Sequence, residues 1–343
     1  MTDSQPRLDR SAASDGHASE GLRSTGWSLA RFGLVLAAIW LVLFVTWRAL
    51  PHIRPGHSQI YEMKQREVDG GRIFPVDDRL RVIVFGNSRV LSGFIPGLFD
   101  SLSGDRVVSY NLGLPDSGQF IEEIETLVAR GQSPTHVVLT IPWSGRDRPP
   151  AHAILQNDRL VMDSLFPFRY VIRDLAQFVV RAASRGGIAH FYRHNIELVE
   201  RARSDRGYFF IENQSHHAGH RLPDDFRTDG ETPETPWVRD VSYRGPVFDR
   251  LVDVARREGI VLVMAPTYYR EGLYAPAPSN EKARQGLADE AITLAGPDYW
   301  LYPNRYFSDP THLNREGADL HTRRLWDLLQ PYILPGLRAA ATP

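Results

Sequence analysis

Asp309-Pro310-Thr311-His312 sets a carboxylate three residues before an imidazole. Far upstream, the apolar run over 81–85 ends on Gly86-Asn87-Ser88-Arg89. A hydroxyl nucleophile, a base and a carboxylate that orients the base are the three groups serine acyl transfer requires. Taken singly, each has an ordinary reading. Ser88 suits a helix N-cap, and Asp309 suits a turn ahead of Pro310. Ser88, His312 and Asp309 are candidate catalytic residues because of where they fall together on the expected elements.

Those elements begin at about residue 79. Strands are expected over 81–85, 107–112 and 136–141. Between them lie a helical stretch over 89–102, weakened by Gly93, Pro96 and Gly97, and an amphipathic helix over 118–130. This alternation predicts a parallel sheet with right-handed crossovers. The third strand is almost wholly apolar, as a strand covered on both faces should be. The alternation stops over about 145–245, where helices at 170–183 and 188–203 and a polar piece over 212–240 form an insertion. It resumes with a helix at 246–258, strands at 260–266 and 299–302, and a last helix at 315–329. The expectation is one α/β domain over 79–335 with a helical insertion.

In such sheets ligands bind beyond the carboxyl ends of the strands. Ser88 follows the first strand, Asn111-Leu112-Gly113 ends the second, and Pro142-Trp143-Ser144 ends the third. Asp309 and His312 precede the last helix, so all four groups fall on one rim. Ser88 also opens a helix, whose first amides favour an oxyanion.

The N-terminal region has a different character. Residues 1–26 are polar and read as a disordered tail, and 32–47 carries no charge between Arg31 and Arg48. At ~1.5 Å per residue, 27–50 reaches about 36 Å, enough for a ~30 Å hydrocarbon core. With no small-x-small cleavage site after it, the run reads as a transmembrane anchor. Arg23 and Arg31 on one side face Arg48, Arg54 and Lys64 on the other, so charge does not orient it. Residues 51–78 read as a linker.

Composition narrows the chemistry. Forty basic and 41 acidic residues give a net charge of -1, which leaves no electrostatic footprint for nucleic acid. The absence of cysteine excludes disulfides, thiolate metal ligands and a cysteine nucleophile. Ser215-His216-His217-Ala218-Gly219-His220 offers imidazoles of the kind zinc or copper takes, but it lies in a polar stretch with no element to hold it. It reads as a solvated loop, and neither metal nor cofactor is expected.

These segments resemble the SGNH/GDSL hydrolases. Gly86-Asn87-Ser88 is similar to the first block of that family, with Ser88 as nucleophile. Asn111-Leu112-Gly113 is similar to the second, whose glycine amide joins the oxyanion hole. Asp309-Pro310-Thr311-His312 is similar to the fifth. The resemblance covers about 79–143 and 246–335. It departs at the third block, where the family carries Gly-x-Asn-Asp and this chain reads Pro142-Trp143-Ser144-Gly145.

The resemblance implies a three-layer, flavodoxin-like sheet with an oxyanion hole from Ser88, Gly113 and Ser144. Arg89, Asn111 and Trp143 beside these blocks are candidate substrate contacts, although Arg89 also suits a solvated helix position and Trp143 a core one. With its single span and long insertion the chain looks like the membrane-tethered SGNH proteins that modify envelope polysaccharides beside a multi-span membrane-bound O-acyltransferase. That implies O-acetyl transfer to a polysaccharide through an acyl-Ser88 intermediate, in the periplasm or outside the cell. An anchored carbohydrate acetylesterase and a catalytically degenerate scaffold on the same fold remain open alternatives.

Overall fold

The computed structural model describes residues 16–113, 120–140, 166–210, 217–228, 246–272, 292–297 and 299–334. In chain order, α1 (Gly16–Ala49) and α2 (Gly56–Asp69) lead into β1 (Leu80–Gly86), α3 (Ser88–Gly93), α4 (Pro96–Leu102), β2 (Val107–Gly113), α5 (Phe120–Ala129) and β3 (His136–Leu139). The insertion contributes α6 (Val171–Ala183) and α7 (Ile188–Ser204). Then come α8 (Pro246–Glu258), β4 (Val261–Met264), β5 (Thr267–Arg270), β6 (Ile292–Leu294), β7 (Tyr299–Tyr302) and α9 (Arg315–Ile333).

Five parallel strands form the main sheet in the order β2-β1-β3-β4-β6. The chain leaves β1 for β2 on one side and returns to β3 on the other, so the strand order reverses at β1. That is the doubly wound switch point, and open α/β sheets in general bind ligands at the carboxyl end of such a point. β1 has side chains for both faces, and those from Val82 to Phe85 are buried. Ile83 and Phe85 pack with Ile124 and Leu127 of α5 and Leu251 of α8. Val82 and Val84 pack with Val90 of α3, Phe99 of α4 and Leu325 of α9. Helices therefore cover both faces, and each buried side chain of this size contributes roughly 1.5–3 kcal/mol. β5 and β7 form a separate parallel pair.

The stretch over 89–102 does break. α3 stops at Gly93, and Pro96 opens α4, a position where its missing N–H costs nothing. Residues 51–78 are not a linker. Ile60, Met63 and Val68 recur at helical spacing and are buried on α2; polar neighbours diluted that stripe in the sequence. β5 and β6 are new, being too short for periodicity to reveal.

α1 starts at Gly16, so the segment expected to be a tail is helical from there, and residues 1–15 lie outside the described residues. Extending a formed helix adds one hydrogen bond per residue fixed, so the apolar segment can propagate into a polar one. Ala30–Ala49 spans 20 residues with a mean hydropathy of 2.0 and is not buried in the protein. It is long and apolar enough to cross a membrane. Its last turns touch the insertion, where Leu43, Phe44 and Trp47 pack against Ile53, Phe168 and Val171.

Candidate active site

Ser88 is set by what lies on either side of it. A side chain at Gly86 would collide with Val90 and Thr140, so the strand can turn this tightly into α3 only with glycine there. Asn87 caps the helix, its Oδ1 accepting the Arg89 N–H at 2.9 Å. Capping by Asn87 releases Ser88 from the role it could otherwise have had. The Ser88 carbonyl accepts from Ser92 Oγ at 3.0 Å, while its own hydroxyl has no hydrogen-bond partner among the described residues. Ser88 is the first residue of α3, so its N–H has no acceptor within the helix.

Asp309 and His312 form a self-contained unit. Asp309 Oδ1 accepts the N–H groups of Thr311 at 2.7 Å and His312 at 2.8 Å. Its Oδ2 lies 2.8 Å from His312 Nδ1. The Ser308 N–H donates to the His312 carbonyl at 2.9 Å and closes the loop. Burial pushes the Asp309 carboxyl up, but the hydrogen bond and charge of His312 and the two backbone donors outweigh it and hold it below the ordinary carboxylate value. An ionised Asp309 accepts a hydrogen bond from Nδ1–H, which keeps that proton on Nδ1 and leaves the ring's lone pair on Nε2. His312 Nε2 is buried without a hydrogen-bond partner among the described residues.

Two residues the sequence did not single out join these parts. Tyr268 Oη donates to the Arg89 carbonyl at 2.9 Å and lies 3.3 Å from Ser92 Oγ. Its ring meets Phe307 edge-on at 5.9 Å, and burial pushes its phenol up. Tyr268, Val90 and Leu313 share one core cluster, so the start of α3 and the His312 loop lie on the same side of the sheet. Buried Arg270 donates from Nε to the Pro310 carbonyl at 3.0 Å, which secures the loop from behind. No hydrogen bond joins Ser88 to His312.

Asn111 is not a substrate contact. It is fully buried, and its Nδ2 donates at 2.8 Å to the carbonyls of both Val90 and Phe94. Its Oδ1 accepts the Gly113 N–H at 2.9 Å and Lys64 Nζ at 3.3 Å. Asn111 is therefore a staple between β2 and α3. The Gly113 amide, expected in the oxyanion hole, is occupied by that staple, and a Cβ at Gly113 would overlap the backbone of Leu91.

Lys64 also donates to the Gly113 carbonyl at 2.8 Å. Burial drives its ammonium well below the usual lysine value, partly countered by Glu67. It is not a flanking charge of the apolar segment, and Arg54 is largely occupied too, pairing with Glu62 and lying 5.6 Å from the Trp47 ring centroid. The clue to Lys64 was its place inside the Ile60–Met63–Val68 stripe, four residues after Ile60 and four before Val68.

Arg89 lies over the Tyr269 ring at 4.6 Å, and its Nε is buried without a hydrogen-bond partner among the described residues. Trp143 and Ser144 lie outside the described residues. So does His216, while His217 and His220 meet Phe226 and Phe210 edge-on. Among the described residues no three metal-ligating side chains converge. No protein-family model, curated protein or solved structure matches the chain.

Proposed function

We propose that this protein is a membrane-anchored serine acyl-transfer enzyme of the SGNH type. Ser88 Oγ attacks an acyl ester while His312 Nε2 takes its proton, and His312 returns that proton to the leaving alcohol. A polysaccharide hydroxyl or water then releases the acyl group from Ser88 by the reverse proton route. Asp309 holds the tautomer and stabilises the imidazolium. The Ser88 N–H is the oxyanion donor that α3 leaves without a helical acceptor. Acetyl transfer to an envelope polysaccharide outside the cytoplasm, supplied by a multi-span O-acyltransferase, is the setting the resemblance favours. An anchored acetylesterase shares the first half-reaction.

The observation that carries this reading is the Asp309–His312 pair, with its Nε2 unpartnered on the same side of the sheet as the uncapping Ser88. One observation favours the scaffold reading instead: the Gly113 amide is already engaged by Asn111. A fluorophosphonate probe on the full chain in detergent separates the two. Labelling of the wild type that Ser88→Ala removes supports the enzyme. A folded wild type that takes no label leaves the scaffold. Fusing a reporter active only outside the cytoplasm after Pro343 tests the orientation, and signal from a cytoplasmic reporter there would reverse it.

A further inference from the structure

Among the described residues outside α1, exposed large apolar side chains gather on α6, at Ile172, Leu175, Val179 and Val180. At ~100° per residue, Val171, Asp174, Phe178 and Ala182 fall within roughly 80° of one another. That is the face turned inward, against Ile53 and Phe191. The apolar arc does not stop there. Leu175, Val179, Ile172, Ala183, Ala176 and Val180 continue it over the next ~140°, and every one of them is exposed. Ile172 is 69% and Val180 73% accessible. Polar side chains on α6 are confined to Arg173, Gln177, Arg181 and the inward Asp174. A soluble helix rarely carries an apolar arc so much wider than the surface that covers it.

We infer that α6 and the turn before it lie in the headgroup–acyl boundary of the membrane crossed by α1, as a second lipid contact. Continuity with the span is the first reason. Trp40, well inside the apolar run of α1, meets Phe168 edge-on at 5.4 Å, and Phe44 and Trp47 pack on the same cluster. A bilayer that surrounds α1 at Trp40 must therefore reach the turn at Phe168, where Phe166 and Tyr170 are exposed.

Charge is the second reason. Over 166–188 the chain carries Arg169, Arg173, Arg181 and Arg185 against a single acid, Asp174. That acid is buried and paired with Arg173 at 2.8 Å. The Arg169 and Arg173 guanidinium groups stack on Tyr170 at 4.8 and 4.3 Å, an aromatic–cation group suited to anionic headgroups. α6 is also tied to the candidate site. α7 follows it, and Val199 and Ala202 of α7 pack with Ile60 and Met63 of α2 and Leu91 of α3. Seating α6 in lipid would fix the height and tilt of Ser88 above the membrane.

The inference rests on α1 as a span but not on acyl transfer. The chain lacks cysteine, so single sites can be labelled in the full protein. Val35→Cys in α1, Ile172→Cys and Val179→Cys on the open arc, and Gln177→Cys as control would each carry a fluorophore in phosphatidylcholine vesicles containing phosphatidylglycerol. Bromolipid quenching at 35, 172 and 179, with Gln177 quenched by aqueous iodide, is the expected result. Lipid quenching at 35 with iodide quenching at 172 and 179 would overturn the inference and leave the span standing. Iodide quenching at 35 as well would remove the span and the inference together. Labels at 172 and 179 shielded from both quenchers would place another protein on this face, and that also overturns the lipid contact.

Discussion

The loop carrying Asp309 and His312 and the segment Asn111–Gly113 sit on the same rim, and both are rich in hydrogen bonds, yet they are wired in opposite ways. In the loop the partners are near neighbours in sequence: Asp309 bonds to Thr311 and His312, and Ser308 to His312. One buried polar atom, His312 Nε2, is left with lone-pair capacity and no partner. Around Asn111 the partners come from β2, α2 and α3, 17 to 49 residues apart in sequence for the side-chain contacts that reach across, and both ends of the amide are in use. A buried polar group with full pairing contributes to holding the fold, whereas one left unpaired costs stability, and a chemical role is one reason such a cost is retained. The loop is therefore read as chemical and the segment as mechanical.

Mutations should separate the two. The largest effect is expected from His312→Ala and Ser88→Ala, each lowering turnover of an acetyl ester by about 10⁴-fold or more while thermal unfolding stays near wild type. The double variant should be no slower than either single one. A multiplicative loss would show that the residues do not act as one unit. Asp309→Asn should cost one to two orders of magnitude less than His312→Ala, since it disturbs the tautomer and leaves the base in place. Equal losses in steady-state assays would assign Asp309 more than an orienting role.

Asn111→Ala should reverse the pattern. It removes a partner from the carbonyls of Val90 and Phe94, from Lys64 Nζ and from the buried Gly113 N–H, with a cost of roughly 2–4 kcal/mol in urea unfolding. Stability within ~0.5 kcal/mol of wild type would refute the staple. In the same variant the freed Gly113 amide is available to an oxyanion, so probe labelling of the folded fraction should persist.

The smallest effect concerns Glu123, a structural carboxyl on α5 bonded to Gln65 of α2. Burial raises its folded value to about 7, opposed by the Gln65 hydrogen bond, against ~4.3 when unfolded. The folded state thus holds a proton that the unfolded state gives up. Stability is full below about pH 4, falls as pH rises through the interval, and stays reduced above pH 7. Glu123→Gln should stabilise the protein by about 1–3 kcal/mol at pH 8 and leave it unchanged at pH 4. Parallel pH–stability curves for the two proteins would contradict the assignment.

Much of this was legible in the residues themselves. Strands β1, β2 and β3 and helix α8 lie where apolar runs and periodicity put them, because those signals are local and strong. Asp309 and His312 pair as their spacing suggests, since three residues is the reach of one tight turn. The apolar run of α1 is a property of composition alone.

Long-range packing decided the rest. Asn111 and Gly113 look like site residues in the sequence, yet the close approach of α3 to β2 turns their polar groups inward. Lys64 is written as a surface charge and becomes a buried donor, because a polar-looking helix docks against β2 and α3 through residues distant in sequence. Ser88 could have been a cap until Asn87 took that role. The open arc of α6 exists only because the fold covers Val171 and Phe178 and leaves Ile172 and Val179 bare. The sequence by itself determined the strands, the apolar segment and the Asp309–His312 unit, since each depends on neighbours a turn or a strand away. Which polar atoms are satisfied and which stay available was decided only by the tertiary structure, because partners dozens of residues apart meet only once the sheet and its two helical layers have assembled.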